Sequence, residues 1–178
     1  MFRFNGDYDE MSYPFIYEHS SLCDFEILTD ELCTVTGLAV SACEAKDADV
    51  QLILSTLQPL IFDLNGSIRG RCAISDATIE QTKAWLWQLR RDQPEKTVTF
   101  VLPRGQGVVV NLHYARSLSK KATRALVRID QEGKEVPEVL PRFCNVLTNL
   151  YFEMAQLINH RKGIEQPEYR SSNYGKPL

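Results

Sequence analysis

The stretch VVVNLHYARSLSKKATRALVRI, residues 108–129, decides the fold class. Val108, Leu112, Ala115, Leu118, Ala122, Leu126 and Ile129 recur at spacings of three and four, the pattern of one apolar helix face. Gly133 ends it. Arg116, Lys120, Arg124 and Arg128 stand four residues apart in the same segment, with Lys121 beside them and no acidic residue between 116 and 129. A four-residue step advances about 40° around a helix, so these cations form a slowly drifting ridge opposite much of the apolar stripe. An uncompensated ridge suits a polyanion such as a triphosphate. A solvated face, or one paired with acids on a neighbouring helix, also accounts for it.

The helical period extends to both sides. Downstream, Leu140, Phe143, Leu147, Leu150, Met154 and Leu157 predict a further helix, with Pro141 tolerated in its first turn. Upstream, Phe25, Leu28, Leu32, Val35, Ala39 and Ala42 mark one helix and a polar break follows at residues 44–49. Val50, Ile53, Leu57, Leu60, Ile61, Leu64 and Ile68 mark the next, where Pro59 removes one backbone hydrogen bond and is expected to bend the helix. Asp76 reads as the N-cap of a helix with Ile79, Leu86 and Leu89 inside and Trp85 and Trp87 flanking, ending near Pro94. Residues 97–102 alternate like a short extended segment, too isolated to build a sheet. The expected fold is therefore all-α, a five-helix antiparallel bundle over residues 24–162. An irregular arm, 1–23, precedes it, and a polar, loosely held tail, 163–178, follows.

With 178 residues the chain suits one domain that buries its own core. A net charge of −3 argues against bulk binding to nucleic acid. No apolar run approaches the ~18 residues of a membrane span, and the first residues lack a signal-peptide layout, so no membrane association and a cytoplasmic location are expected. Five widely spaced cysteines without a CxxC pair read as reduced, mostly buried thiols. His19, His113 and His160 show no metal-ligand spacing, and no resident metal site is expected. The turn Leu102-Pro103-Arg104-Gly105-Gln106-Gly107 offers backbone amides at a helix start, but lacks the Gly-Lys-Ser/Thr ending of a Walker loop.

Several segments, taken in order, resemble the PduO-type ATP:cob(I)alamin adenosyltransferases. Asp30 to Ala39, DELCTVTGLA, is similar to the family's "DELNSxxGLA", and Leu57 to Gly66, LQPLIFDLNG, to its "IQxxLFDLGA". Phe100-Val101-Leu102-Pro103-Arg104-Gly105, followed by Leu112-His113-Tyr114-Ala115-Arg116, resembles "FxLPGG…LHxAR". Phe143 to Asn149, FCNVLTN, stands where the family has "YLNRLSD". The resemblance covers residues from about 24 to 160. It implies a homotrimer with active sites between subunits. There, the reduced corrinoid cob(I)alamin attacks the 5′-carbon of ATP, brought with Mg2+, and triphosphate leaves. It also implies roles for single residues. Phe100 closes the lower face of the corrinoid, Arg116 pairs with Asp30 across the subunit boundary, and Asn145, Lys120, Lys121 and Arg124 belong to the ATP site.

The chain departs from the family where it reads Lys120-Lys121-Ala122-Thr123-Arg124 against "RRAER". Lysine keeps the charge and loses the planar fork, and Thr123 removes a carboxylate. Val146 and Asn149 replace an arginine and an aspartate, and Arg3-Phe4-Asn5-Gly6-Asp7 only echoes the N-terminal "TRTGDKG". Each lost charge-assisted contact is worth ~1.5–3 kcal/mol. Three readings follow: an adenosyltransferase with a remodelled ATP site, a non-catalytic relative that binds a corrinoid or nucleotide as carrier, chaperone or sensor, or a bundle with only an assembly role.

Overall fold

The computed structural model describes residues 6–93 and 100–170, and its helices are α1 Ser21–Ser41, α2 Ala48–Gly66, α3 Asp76–Arg91, α4 Val108–Gln131 and α5 Val139–Arg161. Two short 3-10 turns, Tyr8–Glu10 and Ala45–Asp47, sit in the connections. The expected extended segment falls partly on residues 97–99, outside the described residues. Val101 makes an isolated antiparallel bridge to Glu168.

The neighbours are fixed by which faces are apolar. The stripe of α4 is fully buried: Leu112, Ala115, Leu118 and Ala122 are 0% exposed, and Leu126 is 1%. It packs between α1 and α5; α2 covers the far side of α1, and α3 the far side of α5. Each fully buried Leu or Ile contributes roughly 1.5–3 kcal/mol. Ala115, Ser119, Ala122 and Ala125 keep that face narrow, so both neighbours approach closely. A buried hydroxyl pair, Thr36 Oγ1 and Tyr151 Oη at 2.8 Å, ties α1 to α5 through the middle of the core.

Cross-helix contacts set the directions. Gln51 Nε2 donates to the Val40 carbonyl and Asn65 Nδ2 to the Glu26 carbonyl, so α1 and α2 are antiparallel. Ser21 Oγ donates to Glu132 at one end of α1, and Tyr114 Oη to Glu31 further along, so α4 opposes α1. Asp76 meets Arg142 and Arg90 meets Glu153, so α3 runs parallel to α5. The succession is up, down, up, down, up, and the bundle is antiparallel in the sense the sequence implies.

Local chemistry sets the helix ends. Ser75, not Asp76, caps α3: its hydroxyl accepts from the Thr78 amide while Thr78 Oγ1 answers the Ser75 amide. Asp76 is instead the first residue of the helix, and its carboxylate takes Arg142 Nη1 at 2.7 Å. Ser20 caps α1 by accepting from the Leu22 amide. α2 continues through Pro59, which stands on an exposed position. Gly37 faces α2, where a Cβ would come within 2.7 Å of Gln58 Nε2 and the Gln58 side chain would have to shift.

The arm before α1 is anchored. Arg69 bonds the buried Glu26 at 2.7 Å and Glu18 at 2.8 Å, and its guanidinium lies 4.1 Å from the centre of the Phe15 ring. Tyr13 joins the same cluster; burial and its hydrogen bond with Glu26 push its hydroxyl up to about 12. All five cysteines are free thiols. Because the α4 stripe has no room to relax, Leu118→Ala is expected to lower unfolding free energy by ~2–5 kcal/mol, read as a lower urea midpoint with unchanged slope.

Candidate functional site

The ridge of α4 lies across the outer surface of the helix, as its four-residue spacing requires. Its start leans towards α5, where the Arg116 guanidinium sits 5.6 Å from the centre of the Phe152 ring. Its end leans towards α1, where Arg128 stands 3.8 Å from Asp24. Between these points Lys120, Lys121, Arg124 and Arg128 line an open groove of about 360 Å³, with Asp24, Leu28 and Ala125 as the other walls. Four cationic side chains therefore share one carboxylate. Lys120, Lys121 and Arg124 make no ion pair among the described residues, which leaves them available to an anion.

Arg116 is half-buried and differs from the exposed members of the ridge. Its Nε lacks a hydrogen-bond partner among the described residues, and burial holds its pKa below the ordinary arginine value. A guanidinium withdrawn from water in this way gains most from a carboxylate brought to it. Asp30 is exposed on α1 and makes no contact with Arg116 in the chain.

Asn145 lies across from the ridge on α5. Thr123 Oγ1 is 3.4 Å from Asn145 Oδ1 and 3.2 Å from the Ser119 carbonyl, so one hydroxyl proton is offered to two acceptors. With its oxygen turned to Thr123, Asn145 keeps its amide N–H groups for other partners. Val146 packs against the core, and Asn149 is exposed one helical turn beyond Asn145.

Phe100 stands apart from the ridge, beyond the N-terminal end of α4, and is 78% exposed. The loop behind it is tightly specified. Asn159 Nδ2 donates to the Arg104 carbonyl at 2.9 Å, and a Cβ on Gly105 would lie 2.2 Å from Val109 Cγ1 and 2.9 Å from Asn159 Oδ1. Gly107 has φ 57°, the left-handed conformation that suits glycine where the loop turns into α4.

Asp24, which also lines the groove, does not stand out in the sequence, and Leu28 reads there only as part of an apolar stripe. Arg128 was visible as the last member of the four-residue series, but which wall it meets depends on α1. His113 is another case. It is only 7% exposed, and burial together with the nearby Arg116 pushes its pKa down to about 4. The unfolded chain then takes up a proton more readily than the folded one. The contribution of His113 to stability is complete above about pH 6.5, its ordinary value, and is lost as the pH falls through about 4. Urea midpoints measured from pH 7 to pH 4 should therefore fall more steeply for the parent chain than for His113→Gln.

The Cobalamin adenosyltransferase family model matches residues 25–158. A corrinoid adenosyltransferase of Bacillus subtilis (strain 168) is 28% identical over 149 residues, 80% of this chain and 77% of its own length. A cobalamin adenosyltransferase of Cupriavidus metallidurans is 30% identical over 102 residues, 56% of this chain and 54% of its own. Among solved structures, a phenylalanine-to-alanine variant of a PduO-type ATP:corrinoid adenosyltransferase from Lactobacillus reuteri, complexed with cobalamin and ATP, has a TM-score of 0.76 at 20% identity, over 88% of this chain and 90% of that one. An arginine-to-lysine variant from the same organism, complexed with ATP, has a TM-score of 0.75 at 22% identity, over 87% and 90%. At such identities the structural likeness is one of fold.

Proposed function

The chain belongs to the cobalamin adenosyltransferase family, and from that premise we propose that it transfers the adenosyl group of ATP to a reduced corrinoid, giving an adenosylated corrinoid and triphosphate. The observation that carries this is the matched span itself: residues 25–158 take in Asp30 on α1, Phe100, the whole ridge of α4 and Asn145 on α5. As C5′ of ATP is transferred, its bond to the triphosphate oxygen breaks and a bond to cobalt forms with the electron pair of the reduced metal. Negative charge builds on the leaving triphosphate. Cations already in place and not neutralised by protein carboxylates stabilise that charge without reorganising. Lys120, Lys121 and Arg124 have this role, with the Asn145 amide as a further donor. Mg2+ arrives on the nucleotide, held by phosphate oxygens and water.

The Phe100 ring suits the opposite face of the corrinoid. A phenyl group offers no ligand to cobalt and keeps water from that face. One chain separates these functions: from Val108 to Arg124 α4 rises about 24 Å, and Phe100 lies beyond its start. A site that needs both is more easily assembled from two subunits. The unpaired Asp30 and the half-buried Arg116 are the matching halves of such a contact, and a homotrimer completes three equivalent sites. No helix among the described residues is long and apolar enough to cross a membrane. A cytoplasmic location, expected from the sequence, is part of this proposal.

Three measurements test this. Purified protein mixed with ATP and a chemically reduced corrinoid should develop the spectrum of the adenosylated product; binding of both without turnover would instead make the chain a carrier. Sedimentation at micromolar concentration should give a trimer, and a monomer would remove the shared site. Calorimetry of ATP should give an affinity that falls steeply with salt, because the cations are exposed. Lys120→Ala should weaken binding about tenfold at low ionic strength and much less at high. Equal affinity in the variant would exclude Lys120 from the site.

A further inference from the structure

The segment 164–169, after α5, is bound to the Phe100 loop by a set of contacts that the transfer reaction does not by itself require. The Leu102 amide donates to the Pro167 carbonyl at 2.9 Å and the Tyr169 amide to the Phe100 carbonyl at 2.7 Å. Val101 bridges Glu168 in antiparallel register between them. At its near end the segment is fixed to α5, where the Ile164 amide donates to the Asn159 carbonyl at 2.9 Å. The side chain of Gln166 closes the arrangement. Its Nε2 lies 3.1 Å from the Arg104 carbonyl and 3.1 Å from His113 Nε2.

An amide nitrogen only donates, so its two hydrogens serve these two acceptors and His113 Nε2 receives one with its lone pair. The imidazole proton is then on Nδ1, which is buried and without a partner among the described residues; Gln166 Oε1 is in the same condition. Two unsatisfied buried atoms are a recurrent cost that a merely decorative tail would shed by moving into water. We infer that Gln166 is a positioning residue for Phe100: through the Arg104 carbonyl and His113 it holds segment 164–169 as a strap, which fixes the Phe100 backbone and so the height of its ring under the corrinoid. This rests on the reading of Phe100 as the wall of the corrinoid site. The strap accounts for an otherwise odd feature, a large aromatic side chain 78% exposed on a loop whose main chain is nevertheless bonded at Phe100, Leu102 and Arg104.

The test uses the full-length chain with Gln166→Met, which keeps the side-chain length and removes both hydrogen bonds, and Glu165→Gln, an exposed neighbour on the same strap, as control. Amide hydrogen exchange at Leu102 and Tyr169 should become at least about tenfold faster in Gln166→Met and stay unchanged in the control. KM for the reduced corrinoid should rise about tenfold while KM for ATP and the thermal midpoint stay as in the parent. Unchanged exchange at both amides would overturn the strap. Corrinoid and ATP constants that move together with the thermal midpoint would overturn the positioning role and leave a structural one. Failure of the parent chain to adenosylate any reduced corrinoid would instead overturn the reading of the site, while the exchange measurement still decides whether the strap exists.

Discussion

Burial of one narrow face of α4 is the constraint on which the rest of the structure depends. Leu112, Ala115, Leu118, Ala122 and Leu126 are withdrawn from water between α1 and α5. Once that face is buried, the helical period leaves no choice about the opposite one: residues 120, 124 and 128 must lie outside, with 116 on the flank. The small side chains of the stripe bring α1 and α5 close enough that both contribute to the surface beside the ridge, Asp24 and Leu28 from one and Asn145 and Phe152 from the other. The drift of the four-residue row then hands the ridge from one neighbour to the other. A single packing decision thus produces both the core and the charged surface.

That surface is also where the chain departs from the family pattern it resembles, and the departures have physical consequences. A lysine at 120 delivers its charge through a flexible stem, so it attracts a phosphate chain without fixing its orientation. Thr123 replaces a carboxylate with a hydroxyl that bonds its own helix and reaches Asn145. An acid that would have competed for the ridge is gone, and Asn145 gains a neutral partner. Under the function proposed above, the outcome is a nucleotide seat with fewer oriented contacts and no acid within the ridge. Such a seat should favour capture over alignment.

The fold was largely legible because each helix buries a clear stripe, and the ridge was legible because its spacing matches the helical period. What the sequence could not reveal depended on groups far apart along the chain. Sequence alone puts the cap of α3 one residue late, since Ser75 and Asp76 are both good caps and only the reciprocal bond with Thr78 separates them. The stretch after α5 looked loose because it is polar and contains Pro167. Its order comes instead from backbone groups at 100–102 and from the Arg104 carbonyl, none of which has a side-chain signature. In the sequence His113 shows only the lack of a metal-ligand spacing; its partner Gln166 lies 53 residues further along the chain.

An odd number of helices in strict alternation puts the start of α1 and the end of α5 at opposite ends of the bundle. With α5 spanning 23 residues, the separation is on the order of 30 Å. The two points could not be joined by a tight turn: a closing linker would need roughly ten extended residues, so circular permutation with a short loop is not open to this architecture. The same separation makes the ends independent handles. A reporter or fusion partner attached ahead of Ser21 stands a full helix length from the Phe100 loop, whereas one attached directly behind Arg161 would compete with Asn159 and Gln166 for the same few carbonyls.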